Sequence, residues 1–118
     1  MMIEELVSRV FATRNAVHLA HWAETSGFRH GVLGEFYDNL IDNVDAIVEA
    51  HQGAYGLIGD VEQSVVDKDD IAEHIASEAK WIDQNRDKLA GNIRAISNLV
   101  DNLVDSYLTT HYKLTKLK

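Results

Sequence analysis

The sequence predicts an all-α chain of four helices, and three observations predict it. Apolar residues recur at spacings of three and four rather than in alternation, which is helical periodicity. The chain contains no proline, so no segment is forced to break. Turn-forming residues mark the places where the periodicity stops, at Thr25-Ser26-Gly27 and at Gly53, Gly56 and Gly59. With 118 residues, 46% hydrophobic and 25% charged, the chain reads as one globular domain over residues 1–118, large enough to bury a sizeable core without a disulfide or a structural metal.

The first helix is expected from about Met2 to Ala23, with Ile3, Leu6, Val7, Val10, Phe11, Val17 and Trp22 on one face. His18 and His21 fall in that same stripe. Thr25, Ser26 and Gly27 then make a tight turn. The second helix, over 28–51, carries Val32, Leu33, Phe36, Leu40, Val44, Ile47 and Val48 as its apolar face. Gly53, Gly56 and Gly59 mark a long connection that continues through Asp67-Lys68-Asp69. A third helix begins at Asp69 or Asp70, whose carboxylates suit a helix N-terminus, and buries Ile71, Ile75, Glu78 or Ala79, and Ile82. It is expected to stop near Leu89, with Gly91 as a left-handed cap and Asn92 capping the fourth helix. That helix has Ile93, Ile96, Leu99, Val100, Leu103, Val104, Tyr107 and Leu108 at heptad-like spacing. The same period would thread one helix from Ile71 to Tyr107, but so long a helix is rare in a globular domain. Two short turns and a long middle link describe a four-helix bundle whose second and third helices run parallel, the ferritin-like arrangement.

Composition removes several function classes. No cysteine is present, which excludes disulfides and thiolate metal sites and fits a reducing cytoplasm. A net charge of −8 sets most of the surface against a phosphate backbone, so specific DNA binding is not expected, and Lys113, Lys116 and Lys118 form too small a basic tail to reverse that. The acidic start Met1-Met2-Ile3-Glu4-Glu5 is unlike a secretory leader, and the apolar runs are too short to span a bilayer. A cytoplasmic, non-membrane protein is the expectation. No phosphate loop, nucleophile-histidine-acid order or zinc-protease motif occurs.

The stretch from His18 to Glu49 does carry chemistry. It sets His21-Trp22 and His30 upstream of Asp45 and Glu49, a mixture of nitrogen and oxygen ligands that iron and zinc both take. On one helix His30 and Asp45 stand 15 positions apart, or roughly 22 Å at the helical rise, so one ion cannot touch both. A second copy running antiparallel across a two-fold axis would place His30 of one chain beside Asp45 and Glu49 of the other. The residue sums put that axis near Tyr37 to Leu40. Asp45 and Glu49, four apart, share one helix face as a gripping pair must. No Glu-x-x-His occurs anywhere, so an iron pair inside a single bundle is not expected.

Ala20-His21-Trp22, His30 after a short turn, Phe36-Tyr37-Asp38, and Asp45-Ala46-Ile47-Val48-Glu49 followed by Gly53 together resemble the ligand helices of the Dps miniferritins, the DNA-protecting ferritin-like family. The stretch is also similar to short proteins of tailed phages, for which the location would be the host cytoplasm. The similarity covers about residues 10–53 and is architectural beyond them. It implies a ferroxidase centre between two-fold-related subunits, with His21 and His30 from one chain and Asp45 and Glu49 from the other. It also implies iron as the ion, zinc being the other candidate, and a homo-oligomeric shell that stores ferric iron. One departure stands out: Gly34 occupies the position, one turn after the second histidine, where the family usually has a carboxylate. Glu35 is adjacent but points about 100° away around the helix. The centre is therefore open between one ion, a loosely held second ion, and a degenerate site, with His18, one turn before His21, as an available substitute ligand. Two classes follow: an iron-oxidising miniferritin, or a non-catalytic helical oligomerisation protein that kept the fold.

Overall fold

The computed structural model describes residues 2–118. It is all-α, with five helices: α1 Met2–Ala23, α2 Gly27–Tyr55, α3 Ile71–Gln84, α4 Arg86–Ala90 and α5 Arg94–Lys116. The molecule measures 44 × 25 × 20 Å, its long axis set by α2. α1 packs against α2 and α3, and α5 packs against the same two helices from the other side. Leu6, Val10, Val17, Leu33, Leu40, Ile47, Ile75, Ile82, Ile96, Leu103 and Tyr107 seal the interior. Each large aliphatic side chain so buried stabilises the fold by roughly 1.5–3 kcal/mol relative to exposure.

Local chemistry explains where the helices begin and end. The Ser26 hydroxyl accepts the Arg29 backbone N–H at 3.3 Å, the N-cap pattern that starts α2. Glu24 holds the turn before it, accepting from the Ser26 N–H at 3.1 Å and from Arg29 Nε at 2.9 Å. Arg29 also donates to the Leu114 carbonyl at 2.6 Å and so ties the turn to the end of α5. The connection 56–70 lies along α1: the Gly59 N–H donates to Glu4 at 2.6 Å, and the Ser8 and Ser64 hydroxyls meet at 3.3 Å. It ends in a cleft shared with Ala20, Ala23 and Arg29, so α3 sets out from the end of the molecule where α2 began.

Several expectations are corrected. The third helix does not run unbroken to Leu89. It stops at Gln84, where Asn85 (φ −105°, ψ 9°) turns its side-chain amide back to the Trp81 carbonyl at 2.8 Å, and the short α4 follows. Gly53 lies inside α2, which runs four residues further than expected. Gly91 has the positive φ of a helix terminator, 62°, but its ψ of −134° is not that of a left-handed helical residue. Ile93 rather than Asn92 stands at the N-cap of α5. Phe11 and Trp22, placed by periodicity on the buried face of α1, are exposed, Trp22 by 67%. Among the described residues no helix is long and apolar enough to cross a membrane.

Candidate metal centre

The short turn 24–26 folds α2 back along α1 and sets His21 opposite His30. Their rings stack with centroids 3.6 Å apart and planes 20° apart. Each ring also reaches across to the other helix. His21 Nδ1 lies 2.6 Å from the His30 carbonyl oxygen, and His30 Nδ1 lies 2.7 Å from the His21 carbonyl oxygen. A carbonyl can only accept, so each ring carries a proton on Nδ1, and in its neutral form keeps a lone pair on Nε2. Both rings are thereby held with Nε2 free of backbone partners. The same second-nitrogen bond fixes the tautomer and ring orientation of metal-binding histidines, but rings stacked face to face aim their Nε2 atoms along nearly parallel planes, so both reach one ion only if the stack opens.

His18 belongs to the same face but to a different contact. Its ring stacks on Tyr37 at 4.1 Å and lies 4.3 Å from Trp22, whereas its centroid is 6.2 Å from that of His21. Desolvation, then the positive charge of Arg14 and the neighbouring His21, lower its pKa, against the opposing pull of Asp38. Arg14 in turn sits over the Tyr37 ring at 5.1 Å. His18 is thus committed to an aromatic stack beside the histidine pair.

Asp45 and Glu49 are exposed two turns and more from Tyr37 along α2, on the C-terminal half of the helix. With α2 helical from Gly27 to Tyr55, the 15-residue separation from His30 corresponds to roughly 22 Å. Among the described residues no three of His, Asp and Glu gather into a metal-holding group within one chain. The structure therefore brings His21 and His30 together and leaves Asp45 and Glu49 apart from them in the same chain.

Gly34 carries a feature that the spacing of ligands did not announce. A Cβ built on it would stand 2.9 Å from Cε1 and 3.1 Å from Nδ1 of His21, so the imidazole lies against the bare backbone of α2. A signal was present in the sequence: a tight hairpin turn after residue 23 sets a bulky ring of one helix opposite residues 30–34 of the next, and glycine there leaves room for it.

A second polar cluster lies between α1, α3 and α5. Arg9 Nη1 donates to Glu78 at 2.8 Å and its guanidinium covers the Trp81 ring at 4.1 Å. His74 Nε2 and the Thr13 hydroxyl are 2.8 Å apart, and Tyr107 is sealed beneath them against Phe36. Burial pushes the Tyr107 phenol up, well above its ordinary range. The adjoining cleft, about 300 Å³, is lined by Arg9, His74, Glu78 and residues 64–66 of the connection. Arg9 is already matched by Glu78 and by Glu5, 3.5 Å away, which leaves this cluster a structural role.

The chain is all-α and carries a stacked, backbone-anchored histidine pair where α1 turns into α2. Residues 21–114 match the model of a family of unknown function (DUF5856), and the chain belongs to that family. The matched span includes His21, His30, Gly34, Asp45 and Glu49 and leaves His18 outside. No curated protein and no solved structure matches the chain.

Proposed function

We propose that the protein is an iron-binding miniferritin of Dps type, a four-helix domain of ferritin-like topology in which the short α4 continues the third helix. Fe(II) is its substrate, bound and oxidised at a two-fold intersubunit site. His21 and His30 of one subunit supply nitrogen ligands, and Asp45 and Glu49 of the other supply oxygen. The observation that supports this reading best is the reciprocal pairing of the two Nδ1 atoms with helix carbonyls, which frees both Nε2 atoms at once. Imidazole suits Fe(II), and the carboxylates favour the harder ferric product, so the mixed set draws the ion towards oxidation by dioxygen or peroxide. The ferric product is then available for storage inside a homo-oligomeric shell. Zinc fits the same ligands without the redox step.

The antiparallel dimer required by the spacing has a suitable surface. Tyr37 and Ile41 are half-buried; Ile41 lines a shallow depression between α1 and α2 with Phe11, Arg14 and Asn15, and Arg14 also covers the Tyr37 ring. An axis near residues 37–40 sets Tyr37 of one chain close to Ile41 of the other. Leu40 is fully buried and takes no part in such a contact. The second reading, a non-catalytic oligomerisation protein that kept the fold, is favoured by the absence of any side-chain donor at Gly34.

Anaerobic titration calorimetry with Fe(II) tests the proposal. The wild type is expected to take about one ion per chain, with oxidation slower than in a relative that bears a carboxylate after the second histidine. His30→Ala removes one of the two imidazoles and is expected to abolish tight binding. Unchanged binding in that variant would falsify the interfacial site.

A further inference from the structure

Gly34 offers no ligand atom, yet its position is filled. The His21 ring occupies the space above it, and three contacts keep the ring there: the Nδ1 bond to the His30 carbonyl at 2.6 Å, the stack on His30 at 3.6 Å, and the edge of Tyr37 at 5.4 Å. A methyl group at residue 34 would stand 2.9 Å from Cε1, closer than side-chain atoms approach one another. The ring cannot retreat sideways without leaving the carbonyl that fixes its tautomer. Glycine is also unfavourable inside a helix, and α2 (29 residues from Gly27) bears that cost at Gly34, within its first third.

We propose that Gly34 is a positioning residue: it seats the His21 imidazole as the Nδ1–H tautomer, and by giving that volume to the ring it limits the centre to a single ion. The one-ion consequence rests on the metal reading above, whereas the seat does not. A side chain long enough to serve a second ion from residue 34 would have to pass through the imidazole that serves the first. Gly34→Asp is therefore expected to weaken the existing site rather than complete a larger one.

The seat is tested without metal. Long-range proton–nitrogen spectra of the imidazoles distinguish the two tautomers, and wild-type His21 and His30 should both carry the proton on Nδ1. In Gly34→Ala, His21 should lose that signature and populate both tautomers while the helix content by circular dichroism is retained, since alanine suits a helix better than glycine. His21 signals unchanged in a folded Gly34→Ala protein overturn the seat. Calorimetry with Zn(II), which is redox-inert, tests the stoichiometry. About one ion per wild-type chain is expected, with affinity roughly 10- to 100-fold weaker in Gly34→Ala, the range for losing support of a metal ligand. Two ions per chain in Gly34→Asp overturn the one-ion limit. A wild-type protein that binds no Zn(II) removes the metal reading and the one-ion limit with it, and the seat is then decided by the spectra alone.

Discussion

His74 shows how much a single side chain depends on what is packed around it. It faces Thr13 and Arg9 of α1, Glu78 of its own helix and residues 64–66 of the connection. Desolvation first, then the charge of Arg9, lower its pKa below 6.5, against the opposing effect of Glu78. The folded chain therefore keeps His74 neutral at a pH where the unfolded chain would bind a proton. Stability should be full above 6.5 and fall as the pH drops below it, until the folded state takes up the proton too. Denaturant unfolding at about pH 7.5 and about pH 5 is expected to show this loss, and His74→Gln should reduce it while keeping a polar partner for Thr13. A pH dependence identical in the variant would assign the effect elsewhere. His18 shifts in the same direction and accounts for the part expected to remain. At the candidate site the sequence singles out His21 and His30 by type and spacing, and the structure stacks the two rings. The sequence does not announce the packing at Gly34, because a missing side chain reads as a missing ligand until the His21 ring that lies against it is seen.

Helices follow from periodicity, and their ends from chemistry that periodicity does not contain. α1 and the start of α2 are legible almost to the residue, since the turn at Thr25-Ser26-Gly27 interrupts an apolar spacing that is regular on both sides; the end of α2 is not, because Gly53 reads as a loop signal yet lies inside a helix that continues to Tyr55. Nor is the interruption at Asn85 legible, because Ile82 and Leu89 sit seven apart and keep the helical phase across it. Only the polar run Asp83-Gln84-Asn85-Arg86-Asp87 hints that the backbone can turn there. α4 is then linked to α5 by Arg86, whose Nη2 donates to Asp101 Oδ2 at 2.9 Å, an exposed pair that water and salt screen. Gly91, which ends α4, matters more. Its φ of 62° with ψ of −134° is a region that glycine alone occupies comfortably, and an added Cβ would collide with the Tyr55 hydroxyl. Gly91→Ala is expected to cost about 1–3 kcal/mol by denaturant unfolding. Tyr55→Phe in the same chain should recover only the part due to collision, because the backbone strain remains. Full recovery would show that the torsion angle is harmless.

The molecule presents two kinds of surface, and they predict opposite behaviour. A charge of −8 is spread over most of it, so no DNA complex is expected to survive about 150 mM salt in a gel shift, where weak phosphate contacts are screened. The face shared by α1 and α2 instead exposes Phe11 and Trp22, the latter reaching Tyr37 through the His18 ring between them, and aromatic side chains so placed are costly to leave in water. If two copies meet there antiparallel, each metal centre draws its imidazoles from one chain and its carboxylates from the other. Mixing then distinguishes a shared site from a private one. His30→Ala alone and Asp45→Ala with Glu49→Ala alone should each abolish tight Zn(II) binding. Unfolded together and refolded as an equal mixture, they form mixed dimers in which one centre combines both lesions and the other none. About a quarter of the wild-type sites should return, because random pairing makes about half of the dimers mixed and restores one of two centres in each. Light scattering should report a dimer or a multiple of it throughout. A mixture that binds no ion, from parents that are dimeric and folded, would mean that all four ligands act within one chain or that the carboxylates serve another purpose.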